Sequence, residues 1–295
     1  MNNQGLTLTV IANMTSNYGE GLGNISSVQK VFRNGKTYAT RSRESLKNAI
    51  MVQSGFYDDL VVTVDGAAQK AVTKEKNASN CRALEGGYMN TSDITIIRKS
   101  SFYLTDAVSC NEFVNETRFH NNLYLASKYA KDNGLNLQIG KDADTSGLMP
   151  YQYEFDKSLK QYSLTIDLDC VGIDENFKAE ADAMEKADRV IAILNAIEHL
   201  RLVVKGNLDN AEPIFIVGGI GKAKTHYFEN VVRTEGRNLD LTPDLKDRIK
   251  QGYGVALLQG GNFSNEKAII EELKPLSISA FFEQLRGQVK YYYGV

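Results

Sequence analysis

Residues 6–13, LTLTVIAN, set Leu6, Leu8, Val10 and Ala12 on one side of an extended chain and Thr7, Thr9 and Ile11 on the other, which predicts a strand with one clearly apolar face. Residues 15–37 read as a long polar loop holding Gly19, Gly21, Gly23 and an Asn34-Gly35 turn. After Tyr38, Ala39 and Thr40 the period changes: Leu46, Ala49 and Ile50 recur at helical spacing, with Ser42 or Thr40 as N-cap, Glu44 in the first turn and an end near Gly55. From about 57 to 160 the pattern is irregular, broken by Asp65-Gly66, KEKNASN and Gly86-Gly87, with one extended candidate at 94–104. Too few apolar positions there are periodic to bury a core, so the stretch is expected to be an insertion within a single domain spanning 1–295.

Periodicity returns at 162, where Tyr162, Leu164, Ile166, Leu168 and Cys170 alternate with Ser163, Thr165, Asp167 and Asp169. A long helix is expected over 178–204, with Ala183, Ala187, Val190, Ile191, Leu194 and Ile197 on one stripe and Gly206 beyond it. PIFIVG at 213–218 reads as a buried strand. A helix opened by Thr242-Pro243, a strand at 253–258, a helix from Ser264 and a last amphipathic helix bearing Ile278, Phe281, Phe282, Leu285 and Val289 complete the chain. This order gives an α+β fold on the split βαβ, or ferredoxin-like, plan.

With 42% hydrophobic and 24% charged residues in 295, the composition is that of a soluble globular protein. No basic segment followed by an apolar run opens the chain, and no apolar stretch approaches the roughly 18 residues of a membrane span, so no membrane partner is expected. Cys81, Cys110 and Cys170 are odd in number and far apart, which suggests neither a disulfide framework nor a zinc site and suits a reducing cytoplasm. The net charge of −2 excludes a protein that coats nucleic acid with its whole surface. Charge is nevertheless segregated. Residues 21–50 hold six basic side chains against one acid (+5), and residues 167–188 hold eight acids against two lysines (−6).

Chemistry concentrates at the entry of the first helix. Free amides there, with Arg41, Arg43 and the hydroxyls of Ser42 and Ser45, make an anion site; the alternative is an ordinary capped helix with solvated arginines. GGIGKAKT, 218–225, fails the P-loop spacing because Ala223 stands where the second glycine belongs, and it reads as an anion nest or a plain surface turn. GEGLG at 19–23 lacks dinucleotide-site spacing. His120, His199 and His226 have no metal-like partners in sequence, and no cofactor is implied. The Tyr151-Tyr153 and Tyr291-Tyr292-Tyr293 clusters suit base stacking or, more ordinarily, a core or interface. The aromatic RNA-reader signature is absent, so RNA would be held by its backbone.

GLGNISSVQKV (21–31), KTYATRSRESLKNAI (36–50), YSLTIDLDCVGID (162–174), RVIAILNAI (189–197) and PIFIVGGIGKAKTHYF (213–228), in that order, resemble the backbone subunit of the CRISPR Cascade complex of type I-B, the DevR or Cst branch. RKSSFYLTDAVS (98–109) resembles a further family segment, with Ser101 in place of a proline. The resemblance implies an RRM-like palm with an inserted thumb and web, polymerising head to tail along CRISPR RNA beside other Cascade subunits. Guide bases are left free to pair with target DNA. It carries over Asn24, Arg41, Ser42, Arg43 and Ser45 at the helix entry, Arg98, Lys99 and Ser109 in the insertion, and Gly219, Lys222 and Lys224 in the glycine-rich loop as RNA-binding residues. No catalytic residue is implied. Related type III subunits cut target RNA with an aspartate, which makes Asp106 the candidate for an enzymatic alternative; a solitary regulatory RNA-binding protein is the other. The acidic stretch 167–188 is expected to keep RNA off one face, to meet a neighbour's basic patch or simply to be solvated.

Overall fold

A computed structural model describes residues 4–19, 25–65, 67–91, 95–137 and 151–295. Eight strands form the main sheet: β1 (Gly5–Thr15), β2 (Lys30–Arg33), β3 (Lys36–Arg41), β4 (Phe102–Leu104), β5 (Ala107–Ser109), β6 (Lys157–Asp167), β7 (Pro213–Gly221) and β8 (Gly254–Leu257). Six α-helices occur among the described residues: α1 (Arg43–Gln53), α2 (Leu123–Asn133), α3 (Ala183–Glu198), α4 (Pro243–Lys250), α5 (Glu266–Leu273) and α6 (Ile278–Tyr293). None is long and apolar enough to cross a membrane.

The sheet runs β8-β7-β1-β6-β5-β3-β2, every neighbouring pair antiparallel, with β4 also lying beside β6. β1 sits inside the sheet, between β7 and β6, because alternate residues meet two different demands. Leu6, Leu8, Val10, Ala12 and Met14 point into the main core with Tyr162, Leu164 and Ile166 of β6, beneath α1, α3 and α6. The opposite face carries Thr7, Thr9, Ser163 and Thr165, all buried, with Thr9 and Ser163 hydroxyls bonded at 2.7 Å. Towards β7 and β8 that second face turns apolar: Phe215, Val217, Val255 and Leu257 pack under Phe228, Leu245, Phe263 and Ile269.

Helix starts follow their caps. Ser42, Asp182, Thr242 and Ser277 each accept an amide three residues on, and α1, α3 and α6 bury Leu46 and Ile50, Val190 and Leu194, and Phe282 and Leu285 respectively. Gly218 has a separate reason to lack a side chain, since a Cβ there would stand 1.9 Å from the Thr7 carbonyl on the adjacent strand.

Several expectations are corrected. Residues 15–37 are no plain loop: β2 and β3 form a hairpin across Asn34-Gly35, whose φ angles of 50° and 77° are those of a tight two-residue turn. The third helix covers only 183–198; Lys205-Gly206 instead turns a hairpin, Arg201–Val204 with Asn207–Asn210. The clean strand is shifted to 157–167, and residues after Leu168 turn away. The expected insertion 57–160 is interrupted, because residues 102–109 return to the main sheet as β4 and β5 and residues 157–160 already belong to β6.

The described part of 57–101 holds a small core of Val72, Ala78, Cys81, Leu84 and Tyr88, and one of its links to α3 and to the turn after β6 is a buried carboxylate. Glu85, almost fully buried, meets Arg189 of α3 at 2.7 Å and Arg98 at 3.0 Å, and accepts from the Ser101 hydroxyl at 2.5 Å and the Gly172 amide at 2.6 Å. Arg189 reaches on to Glu185, which forms a two-bond fork with Arg82. Removing one partner of such a buried set leaves charges without compensation. Glu85→Ala is expected to lower stability by about 3–5 kcal/mol, read from the urea midpoint, whereas Glu44→Ala on the exposed start of α1 should shift it by less than about 1 kcal/mol.

Candidate nucleic-acid interface

The helix entry is assembled from three directions. β3 delivers Arg41, the end of β1 delivers Asn17, and the turn between β4 and β5 delivers Asp106. The Ser42 amide donates to Asn17 Oδ1 at 2.8 Å, the Arg43 amide to Asp106 Oδ1 at 2.8 Å, and the Ser45 amide to Ser42 Oγ at 3.3 Å. The expected free amides are therefore taken by the chain's own acceptors. An anion here meets side chains rather than open helix dipoles. Arg43 is exposed and pairs with its neighbour Glu44 at 2.8 Å; Ser42 and Ser45 are half-buried.

Arg41 departs from the surface position expected of it. Its guanidinium is buried, donates from Nη1 to the Thr15 carbonyl at 3.2 Å, and leaves Nε with no partner among the described residues. Burial lowers its pKa, partly offset by Asp209. Nearby, fully buried Lys160 donates to Asp156 at 2.5 Å, Ser158 at 2.8 Å and the Met14 carbonyl at 2.9 Å, and burial likewise lowers its pKa against the pull of Asp156. Asp209, reaching in from the hairpin at 201–210, accepts the Thr15 amide at 2.7 Å and pairs with Lys157 at 3.0 Å. These groups hold the edges of β1, β3 and β6 in register beneath the helix entry.

The other expected residues are dispersed. Arg98 spends its five N–H groups internally, on Glu85 and the carbonyls of Ile173, Leu84, Lys99 and Cys170, so the geometry makes it a structural residue. Lys99 is exposed, and Ser109 is buried, donating to the Asn111 carbonyl at 2.6 Å. Gly219 lies within β7 opposite Thr7, so the glycine run is strand rather than loop, and the bend begins only at exposed Lys222. Lys224 lies between Asp167 at 2.6 Å and Asp169 at 2.7 Å, with the Tyr292 hydroxyl also on Asp169. By strand register this corner is five residue steps and two strands from Arg41, on the order of 20 Å. Asn24 lies outside the described residues.

Two features escaped the sequence reading. One is a cavity of about 780 Å³ over the part of the hydroxyl face that α4 and α5 leave open, with Arg33, Arg43 and Arg233 among its lining residues. The other is an aromatic cluster. Tyr151 stacks on His120 with centroids 5.5 Å apart, and Lys205, at the tip of its hairpin, stands 4.6 Å from the Tyr18 ring and 5.2 Å from that of Tyr153. Burial, reinforced by Tyr153, raises the Tyr18 pKa to about 12. The Tyr151-Tyr153 pair was visible in sequence; the long-range partners were not.

A family model described as "CRISPR-associated negative auto-regulator DevR/Csa2" matches residues 6–236. The chain belongs to the DevR/Csa2 family. Among solved structures, a chain of a "CRISPR RNA-guided surveillance complex" is similar at 14% identity and a TM-score of 0.57, over 96% of this chain and 99% of that one. A chain of a "CRISPR RNA-guided surveillance complex, pre-nicking" is similar at 12% identity and 0.53, over 87% and 93%. At these identities the likeness is one of fold. No curated protein matches the sequence. Among the described residues of this DevR/Csa2 protein, Ser42, Arg43 and Ser45 stand together at the helix entry, and Arg43 and Ser109 line the groove formed by the cavity beside it.

The buried carboxylate beneath that groove gives a pH test. Burial alone would raise the Asp209 pKa, but the bonds from Thr15 and Lys157 hold it below the ordinary carboxylate value. A folded pKa below the unfolded one means stabilisation that is complete above about pH 4 and lost as pH falls through the folded value. Asp209→Asn is therefore expected to be less stable than wild type at pH 7 and to lose less stability between pH 5 and pH 2, measured as urea midpoints across that range.

Proposed function

We propose that this protein is a non-catalytic, RNA-binding backbone subunit of a type I-B Cascade complex, lying head to tail with other copies of itself along a CRISPR RNA. The guide bases stay free to pair with target DNA. The observation that carries this reading is the DevR/Csa2 match over residues 6–236, and the fold likeness to chains of RNA-guided surveillance complexes supports it.

The strand order supports an RRM-like palm within that reading. Taking β1, α1, β4 with β5, β6, α3 and β7 as the successive elements of a βαββαβ unit, the four strand positions lie in the order four, one, three, two, all antiparallel. The segments 57–101 and 113–156 are then additions to the palm, the second being the thumb. A subunit that accepts any guide sequence reads phosphates and ribose hydroxyls, for which Arg43, Ser42 and Ser45, with Lys99 and Lys222 further off, have the right chemistry. Exposed Val203 and Leu208, facing each other across their hairpin, offer apolar surface to a neighbour. Heterologous contacts of this kind build an open filament.

Asp106 fits the non-catalytic reading because its carboxylate is engaged with the first amide of α1. RNA paired to the guide should remain intact with divalent metal present; a cut that disappears in Asp106→Asn would promote the enzymatic alternative.

Assembly is tested by mass photometry on RNAs of increasing length. Mass should rise stepwise with length, with little dependence on sequence; one protein per RNA at every length would replace this reading with a solitary RNA-binding module. Arg43→Ala should weaken RNA binding without unfolding the protein and flatten the log–log salt dependence by about 0.7, the share of one single-strand phosphate contact. Arg41→Ala, by contrast, should lower stability as well, read by thermal melting.

A further inference from the structure

The cavity beside the helix entry has a chemistry that backbone gripping does not explain. At about 780 Å³ it falls within the usual range for small-molecule sites, roughly 300–1,000 Å³. Its floor is the hydroxyl and amide face of the sheet, with Thr105, Gln161 and Ser163, and the segment from His226 to Asp240 forms the opposite wall. His226 is fixed there by a 2.9 Å bond between Nδ1 and Thr165 Oγ1, and burial lowers its pKa, against Glu229, so the ring is neutral at pH 7.

Charge around the cavity is mixed in a specific way. Arg33 and Arg233 are exposed and have no ion pair or side-chain hydrogen bond among the described residues, while Asp106, Glu229 and Asp240 also line the space. Carboxylates are unfavourable next to a bare inorganic anion. They suit a ligand that carries hydroxyl or amino donors along with its anionic group, as a sugar and a base do. Guanidinium groups free of internal partners suit the phosphate of the same ligand.

We propose that this cavity is a nucleoside-phosphate site, with Arg33 and Arg233 on the phosphate and the carboxylates and the polar floor on the sugar hydroxyls or base edge. The ligand is either a free nucleotide or one nucleotide of a bound RNA strand. Only the second source rests on the backbone-subunit reading.

The test is isothermal titration of the full-length protein with inorganic phosphate, uridine, uridine monophosphate and a uridine trinucleotide. Phosphate and uridine should each bind at least about tenfold more weakly than the monophosphate or the trinucleotide, since each makes only half of the contacts. In Arg33→Ala/Arg233→Ala, affinity for whichever of the two nucleotides binds better should fall at least about tenfold, while Lys290→Ala, exposed on α6 and outside the cavity, should bind as wild type. A monophosphate bound as tightly as the trinucleotide identifies a free nucleotide as ligand; a trinucleotide bound tighter, with the same loss in the double variant, identifies the strand. Absence of binding by both nucleotides, or wild-type affinity in the double variant, overturns the proposal. Filament formation on long RNA is scored separately: its failure in wild type alongside intact monophosphate binding would remove the assembly reading and leave the cavity site standing.

Discussion

The buried carboxylate of Glu85 joins the 57–101 unit to α3 and to the turn after β6. Its two oxygens face two guanidiniums, a hydroxyl and an amide drawn from the 57–101 unit, the turn after β6, and α3. The charges are satisfied only when all of these are in place, so the group specifies an arrangement more than it contributes raw stability. Arg98 is consumed in that role.

The second organising device is the two-sidedness of β1. One face is continuous hydrocarbon and accounts for the three-helix layer. The other is a hydroxyl stripe that is roofed on one side and open on the other. Buried Arg41, Lys160 and Asp209 stiffen the open side from below, and the desolvated cations there are held by the carbonyls of Met14 and Thr15 and by the Asp156 carboxylate. The helix entry and the cavity inherit a rigid floor from this network, which a surface loop would not supply.

The helices and central strands were legible wherever one face is buried: LTLTVIAN and the alternation around 162–166 set β1 and β6, and the caps Ser42 and Thr242 mark real helix starts. Misreadings arose where pairing across long sequence distance overrode local pattern. Phe102–Leu104 fell within the extended candidate at 94–104, but Ala107–Ser109 is a three-residue strand too short to show a period, and it exists because β6 and β3 lie beside it. GGIG reads locally as a loop, yet β1 and β8 hold it extended and need its lack of side chains. Of the expected site residues, Ser42, Arg43 and Ser45 stand together, whereas Arg41 and Lys224 became engaged with acceptors that no local motif announces: a carbonyl on β1 for one, two aspartates for the other.

The position of β1 inside the sheet also has a temporal side. Its two neighbours, β6 and β7, end at residues 167 and 221, so the first strand made is among the last to be enclosed. At roughly 5–20 residues per second of synthesis, about 10–40 s separate the emergence of Thr15 from that of Gly221. Through that interval a strongly apolar strand edge is available to any other nascent chain, and pairing between distant segments is intrinsically slow once it begins. Pairing on both flanks of β1 is therefore complete only after both partner strands have been made.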